Sequence, residues 1–133
     1  MDGGDIADAL AVGASAAVLG TAFLCAPEAG TPSAHKAALL EAGHNATGIT
    51  RAFSGRPARG LMNGFMEQLE GKENIILPFP LQNNLTRPMR SAANKDGVRR
   101  YMSLWAGTGA ARTREMPAAE LVRVLAGELA AVS

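Results

Sequence analysis

Cysteine, aromatic side chains and clustered charge are all scarce in this chain. Cys25 is its single cysteine, which excludes an internal disulfide framework and a cysteine-based metal site. Aromatic residues make up only 5% of the 133 residues, and 13 basic side chains nearly balance 12 acidic ones. Because lysine and arginine are spread from Lys36 to Arg123 without a basic block, a nucleic-acid partner is not expected.

Long uninterrupted apolar runs are also missing. The most apolar stretch, residues 9–24, is interrupted by Gly13, Ser15, Gly20 and Thr21, which argues against a membrane span. Acidic residues rather than a basic segment precede this stretch, so a signal peptide is not predicted either. We therefore expect a cytoplasmic protein without a membrane partner. At 47% hydrophobic composition, the chain is able to form one modest core.

Helical and buried-strand patterns alternate at both ends of the chain. Apolar residues at helical spacing predict a helix over residues 4–14, and the unalternating apolar run at 16–20 predicts a buried strand. Near the other end, residues 101–106 predict a second buried strand, and residues 117–132 predict a helix with one apolar stripe. Units of this kind form α/β layers.

The middle of the chain has a mainly helical pattern. Helices are predicted over residues 31–42, 61–71 and 81–95. Thr31 and Pro32 are favourable at the start of the first. The remaining middle segments are predicted as an extended stretch at 45–53, a polar turn at 54–60 and a loop or edge at 74–80.

Glycine and threonine end both predicted strands. Gly20 and Thr21 follow the first strand, and Gly107, Thr108 and Gly109 follow the second. A turn of this kind presents backbone N–H groups and a hydroxyl at one point, which suits a phosphate. Because the turns after strands seven and eight of α/β barrels often build a phosphate site together, the pattern suggests such a barrel.

Eight short segments extend this pattern along almost the whole chain. They are MDG (1–3), IADALAVGA (6–14), LGTAFL with PE (19–24 and 27–28), TRAFSGRPAR (50–59), LPFPLQ (77–82), LTRP (85–88), LWAG (104–107) and REMPAAELV (114–122). In this order they resemble the nitronate monooxygenase family, formerly called 2-nitropropane dioxygenases, which are FMN-dependent TIM-barrel enzymes. Each segment is weak alone, but the ordered series is specific.

The resemblance implies an α/β fold in which this chain is the C-terminal fragment of a (β/α)8 TIM barrel. Residues 1–24 would form helix 6, strand 7 and the phosphate turn, and residues 25–100 a mainly helical insert that covers the substrate. Residues 101–133 would form strand 8 and helix 8. The family's catalytic histidine would lie upstream with strands one to six, so no catalytic residue is expected in this chain.

The resemblance also implies contacts to FMN at the barrel turns. The expected cofactor-binding residues are Leu19, Gly20 and Thr21 after strand seven, Gly107 and Thr108 after strand eight, and Gly3 just past the turn after strand six. Two positions depart from the family. Thr108 stands where a glutamine is usual, and Val18, where many members have another glutamine, cannot donate a hydrogen bond.

The activity implied by the family is oxidation of an alkyl nitronate or nitroalkane by FMN and O2. The isolated chain is expected to be inactive, and its open sheet edges favour self-association. Three alternatives stay open: a fragment of a flavin-dependent enoyl-ACP reductase, a more distant barrel of the IMP-dehydrogenase kind, and a non-catalytic remnant or a piece that complements another chain.

Polar side chains elsewhere have plainer interpretations. Arg56 and Arg59 are substrate-side candidates that would attract an anionic nitronate, but we favour a role as anchors of their turn to carbonyls and carboxylates. His35 and His44 do not match the family's catalytic histidine and are interpreted as structural or solvated. Cys25 is expected to be a small buried residue.

Overall fold

In the computed structural model, which describes residues 2–132, the chain begins with helix α1, Gly3–Ala11. A reciprocal cap starts this helix: Asp5 N–H donates to Asp2 Oδ1 at 3.1 Å, and Asp2 N–H donates to Asp5 Oδ2 at 3.0 Å. The cap satisfies two N–H groups that a helix start otherwise leaves free. The predicted helix is confirmed, although it ends three residues earlier than expected.

Helix α1 packs against the last helix, α5, Ala118–Val132. The two helices approach each other closely at Gly3, since a Cβ on this residue would lie 2.3 Å from Leu129 N. The buried residues between the two helices are apolar: Ala22, Leu121 and Leu125, with Ile6, Leu19, Phe23 and Met116 packed around them. Glu28 fixes the start of α5 by accepting the Ala118 N–H at 3.3 Å.

The predicted strand at 16–20 is not formed. No strand pairs with this segment among residues 2–132, and Val18 is 92% exposed. The prediction of a buried strand is therefore wrong for this chain, because a strand requires a neighbour that takes up its backbone hydrogen bonds.

The two regular strands form a hairpin in the middle of the chain. Strands β1 (Thr47–Thr50) and β2 (Ala58–Leu61) pair antiparallel, with Thr47 opposite Leu61 and Thr50 opposite Ala58. The extended stretch at 45–53 is thus confirmed in part. Residues 58–61 were expected to end a turn and begin a helix, and that expectation is wrong because pairing with β1 overrides the helical spacing.

The predicted strand at 101–106 lies beside β2 without becoming a regular strand. Trp105 forms a single antiparallel bridge with Gly60, and Leu61 N–H donates to Leu104 O at 2.8 Å. A Cβ on Gly60 would lie 2.8 Å from the same carbonyl oxygen, so glycine permits the approach. Burial of this segment is confirmed, since Met102, Leu104 and Ala106 are all buried.

Three further helices lie near the positions that the sequence predicts. They are α2 (Ser33–Leu40), α3 (Gly64–Leu69) and α4 (Leu81–Asp96). Helix α3 begins behind Asn63, whose Oδ1 accepts the Met66 N–H at 3.2 Å. Helix α4 contains Pro88 and ends at Gly97, whose φ of 68° suits glycine. Single turns of 3-10 helix lie at Thr21–Phe23, Glu73–Ile75, Arg99–Tyr101 and Ala110–Arg112.

The main core lies between α2, β2, α4 and the segment after Tyr101. Its buried members are small or apolar: Cys25, Leu39, Leu61, Ala93, Met102, Leu104, Ala106 and Ala110. Two buried polar side chains at its edges are paired. Asn63 Nδ2 donates to Met102 O at 2.7 Å, and Gln82 Nε2 donates to Ala52 O at 2.6 Å. These bonds hold α3 and α4 to the core, because a buried polar group left unpaired is costly.

The helices were compared with the length and hydrophobicity that a membrane span requires. Within residues 2–132, none of the helices is both long enough and apolar enough to cross a bilayer. Met1 and Ser133, which the predicted barrel segments include, lie outside the described residues.

Candidate functional site

The two glycine–threonine turns meet at one cavity. This cavity has a volume of about 310 Å³ and is lined by Gly20 and Thr21 from the first turn and by Gly107 and Thr108 from the second. These are four of the six cofactor-binding residues expected from the sequence, brought together from positions more than 80 residues apart. Val18 lines the same cavity, where its side chain adds apolar surface and no hydrogen-bond donor.

A hydrogen bond joins the two turns directly. Gly107 N–H donates to the Thr21 hydroxyl oxygen at 2.9 Å. A hydroxyl accepts and donates at the same time, so the proton of the Thr21 hydroxyl is available to a further acceptor in the cavity. Thr21 therefore holds the second turn in place and offers a donor.

Backbone donors add to this hydroxyl. Among residues 2–132, the N–H groups of Thr21, Ala22, Thr108 and Gly109 take part in no hydrogen bond, although all four residues line the cavity. Unpaired N–H groups at the start of a turn attract anions. The lining thus offers several donors of the kind that a phosphate accepts.

The cavity also has a charged wall formed by α1 and the turn Ala110–Arg112. Arg112 Nη1 lies 3.0 Å from Asp2 Oδ2, and its Nη2 lies 2.9 Å from Asp5 Oδ2. The hydrogen bond with Asp5 raises the pKa of Arg112. Burial acts to raise the pKa of Asp5, but the Asp2 backbone N–H and Arg112 together hold it below its ordinary value. All three groups are therefore charged at neutral pH.

The two remaining expected cofactor contacts do not line this cavity. Leu19 packs among the apolar residues between α1 and α5. Gly3 N–H donates to Glu128 Oε2 at 2.9 Å, so in this chain its backbone donor is taken by α5. For both residues the role in cofactor binding stays a prediction.

Arg56 and Arg59 are likewise absent from the lining of this cavity. Arg59 Nη1 donates to Thr47 O at 3.3 Å and to the Thr47 hydroxyl at 3.2 Å, which is an anchoring contact across the hairpin. The guanidinium of Arg56 lies 4.2 Å from the centre of the Phe79 ring, where an exposed cation gains little. The contact of Arg59 with a carbonyl is of the anchoring kind, whereas Arg56 contacts a ring, and a substrate-side role of either residue stays a prediction.

The histidines also lie away from the cavity. His35 is buried on α2, and burial lowers its pKa while a hydrogen bond with the Trp105 backbone opposes that shift. His44 is exposed. In the described part of the chain, no group of three or more histidine, cysteine, aspartate or glutamate side chains is placed to hold a metal ion.

Sequence reasoning missed Arg112 and Asp5 as cavity residues. Asp2 and Asp5 have the three-residue spacing of a reciprocal helix cap, which marks the start of α1. No local pattern links them to an arginine more than 100 residues away. The charged wall can therefore be recognised only in the folded structure.

Comparisons with known proteins agree along the whole chain. Residues 1–128 match the family model described as nitronate monooxygenase. The nitronate monooxygenase of Pseudomonas aeruginosa is 41% identical over 130 residues, which cover 97% of this chain and 37% of that protein. A probable nitronate monooxygenase of Bacillus subtilis is 40% identical over 90% of this chain and 35% of its own length.

Superposition on solved structures identifies the fold of the chain. A nitroalkane oxidase from Streptomyces ansochromogenes superposes with a TM-score of 0.91 and 48% identity, over 100% of this chain and 39% of that one. FabK from Thermotoga maritima superposes with a TM-score of 0.78 at 24% identity, over 98% and 42%, a likeness of fold alone. Both are TIM barrels, so this chain has the fold of part of a barrel. It spans little more than a third of the length of the curated relatives above.

Proposed function

Because the chain belongs to the nitronate monooxygenase family, we propose that it forms one side of the cofactor phosphate site of an FMN-dependent enzyme that oxidises alkyl nitronates with O2. The observation that carries this proposal is the meeting of two distant turns at one cavity, joined by the bond from Gly107 N–H to Thr21. The same two turns are the ones that the family resemblance assigns to FMN.

The residues present fit a phosphate. The Thr21 hydroxyl proton and four backbone N–H groups are available as donors at the cavity, and Arg112 supplies a positive charge. Glycine at positions 20 and 107 leaves the backbone accessible, and at Gly20 an added Cβ would meet no atom within 4 Å. A dianion accepts hydrogen bonds of this kind readily.

The proposed place of the chain in the barrel follows the same order. We assign α1 to helix 6, residues 16–20 to strand 7, residues 101–106 to strand 8 and α5 to helix 8, with residues 25–100 as the insert that covers the substrate. Residues 16–20 form no strand here, because no strand pairs with them among residues 2–132; in a complete barrel, neighbouring strands would pair with this segment and cover Val18. A cytoplasmic location and self-association stay predictions.

The chain's own residues act on binding rather than on the reacting bonds. When bound, FMN would supply the redox chemistry between a nitronate and O2. Thr21, Gly20, Gly107 and Thr108 would hold the phosphate and thereby orient the flavin. Neither His35 nor His44 lines the cavity, so a general base would have to come from elsewhere, and we expect the isolated chain to bind FMN without turning over a nitronate.

A chimera tests the proposal. In the Pseudomonas aeruginosa nitronate monooxygenase, the matching 37% is replaced by this chain, and bound FMN and nitronate-dependent O2 consumption are measured. We expect both. Thr21→Val in the chimera should lower FMN affinity by about tenfold, because it removes a hydroxyl donor from a charged acceptor. Thr31→Val, at a residue that does not line the cavity, is the matched control.

Two outcomes would contradict the proposal. A folded chimera that holds no flavin would exclude the phosphate site. NADH-driven reduction of a crotonyl thioester, without nitronate oxidation, would favour the enoyl-ACP reductase alternative instead.

A further inference from the structure

Arg112 is the one basic side chain among the described residues that line the cavity. It lies in the turn Ala110–Arg112, directly after the second glycine–threonine turn, and its side chain is 45% exposed. Its position was not indicated by any sequence motif, and the resemblance to the family assigns it no role. The contacts of its side chain indicate a role in the cavity.

The two carboxylates engage only part of the guanidinium. Nη1 donates to Asp2 Oδ2 at 3.0 Å, and Nη2 donates to Asp5 Oδ1 at 3.1 Å. A guanidinium has five N–H donors in a fixed plane, and Nε makes no hydrogen bond within residues 2–132. Arg112 can therefore keep both aspartates and still donate to a third group.

The aspartates fix where that donor lies. Asp2 and Asp5 are held by the reciprocal cap of α1, so the guanidinium is tied to a rigid helix start rather than left to rotate in solvent. Ordering a long side chain in advance removes part of the entropy that binding would otherwise cost. The carboxylates also carry two negative charges against one positive charge, which weakens the attraction of the wall for an anion.

We propose that Arg112 donates a charge-assisted hydrogen bond to the phosphate of FMN, with Asp2 and Asp5 as its positioning residues. The proposal rests on the proposed function, since it concerns the same phosphate site. Thr21 approaches the phosphate from one turn and Arg112 from the other. A guanidinium is well suited to this task because its planar donors match phosphate oxygens.

The test uses the complete 133-residue chain and two probes, inorganic phosphate and FMN. Phosphate binding is followed through the amide resonances of Thr21 and Gly109, and flavin binding through the fluorescence of FMN and of riboflavin, which lacks the phosphate. Arg112→Gln should weaken phosphate and FMN binding by about tenfold and leave riboflavin unchanged. Arg112→Lys, which keeps the charge, should recover part of the loss.

Two control variants distinguish the loss of the positive charge of Arg112 from the loss of its contact with α1. Arg123→Gln removes an exposed arginine from α5 and should change neither affinity. Asp5→Asn weakens one of the two contacts that position Arg112 and removes one repelling negative charge but leaves the cation, so phosphate affinity should fall by less than in Arg112→Gln. Thermal melting of each variant reports whether the chain remains folded.

The outcomes distinguish this inference from the proposed function. If the unaltered chain binds neither phosphate nor FMN, the phosphate site itself is wrong and the inference fails with it. If the unaltered chain binds both and Arg112→Gln binds equally well, only the role of Arg112 is overturned. An equal loss in Asp5→Asn and Arg112→Gln would also overturn it, because the effect would then be structural.

Discussion

The middle of the molecule and its two ends are built differently. The buried hydrophobic cluster of the middle region, residues 25–106 with Ala110, has eight members, whereas the cluster of the end region, α1 with residues 12–24 and α5, has three. Val12 and Val18 in the end region are 87% and 92% exposed. The middle region pairs its two strands with each other, while residues 16–20 of the end region have no strand partner among residues 2–132 and Val12 and Val18 have higher exposed fractions than the large apolar side chains of the middle region.

The cavity lies where these two regions meet. Thr21 belongs to the end region, while Gly107 directly follows the middle one, and their hydrogen bond joins them. The proposed phosphate site therefore depends on the end region being held against the middle region.

The largest effect is expected in the middle region, at a buried aromatic cluster. Phe53 is 1% exposed and its ring centre lies 5.1 Å from that of Phe65 and 5.5 Å from that of Trp105. Phe53→Ala should lower the free energy of unfolding by about 3–5 kcal/mol, since it opens a cavity in a packed aromatic cluster. Urea denaturation measures the change.

Phe79→Ala is the matched control for that experiment. Phe79 is 45% exposed, so its loss should cost less than about 1 kcal/mol. Equal costs for the two phenylalanines would mean that the middle region has no core of its own.

A smaller effect is expected where α1 meets α5. A Cβ at Gly3 would collide with the backbone of Leu129 at 2.3 Å, so Gly3→Ala should destabilise the chain by about 1–3 kcal/mol. Gly127→Ala adds the same methyl group in the same pair of helices, but nothing lies within 4 Å of it. It should stabilise the chain by up to about 1 kcal/mol. If both variants behave alike in thermal melts, α1 does not pack on α5.

The end region should also loosen in acid before the middle region does. Asp2 and Asp5 have lowered pKa values, caused for Asp2 first by the Asp5 backbone N–H, and for Asp5 by the Asp2 N–H and Arg112 against an opposing effect of burial. A lowered pKa means that the stabilisation is present above the unfolded-state pKa and is lost as pH falls through the folded-state value.

Hydrogen exchange of the amides in α1 measures this acid effect. Once exchange is corrected for its intrinsic pH dependence, protection of α1 should fall below about pH 4, while protection in α4 should persist. In Arg112→Gln, part of the pH dependence should disappear. Parallel loss of protection in both helices would contradict a separate end region.

The smallest effect is expected at Val18. Because its side chain is 92% exposed, Val18→Gln should change the free energy of unfolding by less than about 0.5 kcal/mol. A clear destabilisation in a thermal melt would show that residues 16–20 are covered in solution.

Local signals explain which elements the sequence predicts. Helix α4 was predicted over 81–95 and is found at Leu81–Asp96, where Gly97 ends it with φ of 68°. Strand β2 was missed because Leu61 has helical spacing to Phe65 and Leu69, whereas its burial depends on pairing with β1 and Trp105. Pairing partners distant in sequence leave no local periodicity.

The same distinction holds for the site. Gly20, Thr21, Gly107 and Thr108 were predictable, since glycine and threonine at strand ends carry a mechanism for holding phosphate. The charged wall was not, because Asp2 and Asp5 meet Arg112 from more than 100 residues away. The predicted strand at 16–20 was wrong for a related reason, since no partner strand pairs with it among residues 2–132.

A crystal structure of the chimera with FMN bound tests the central claim most directly. We expect phosphate oxygens at hydrogen-bond distance, about 2.7–3.2 Å, from the Thr21 hydroxyl and from the backbone N–H groups of the second turn. A flavin whose phosphate lies elsewhere, with this cavity holding only water, would contradict the assignment of the two turns to the cofactor.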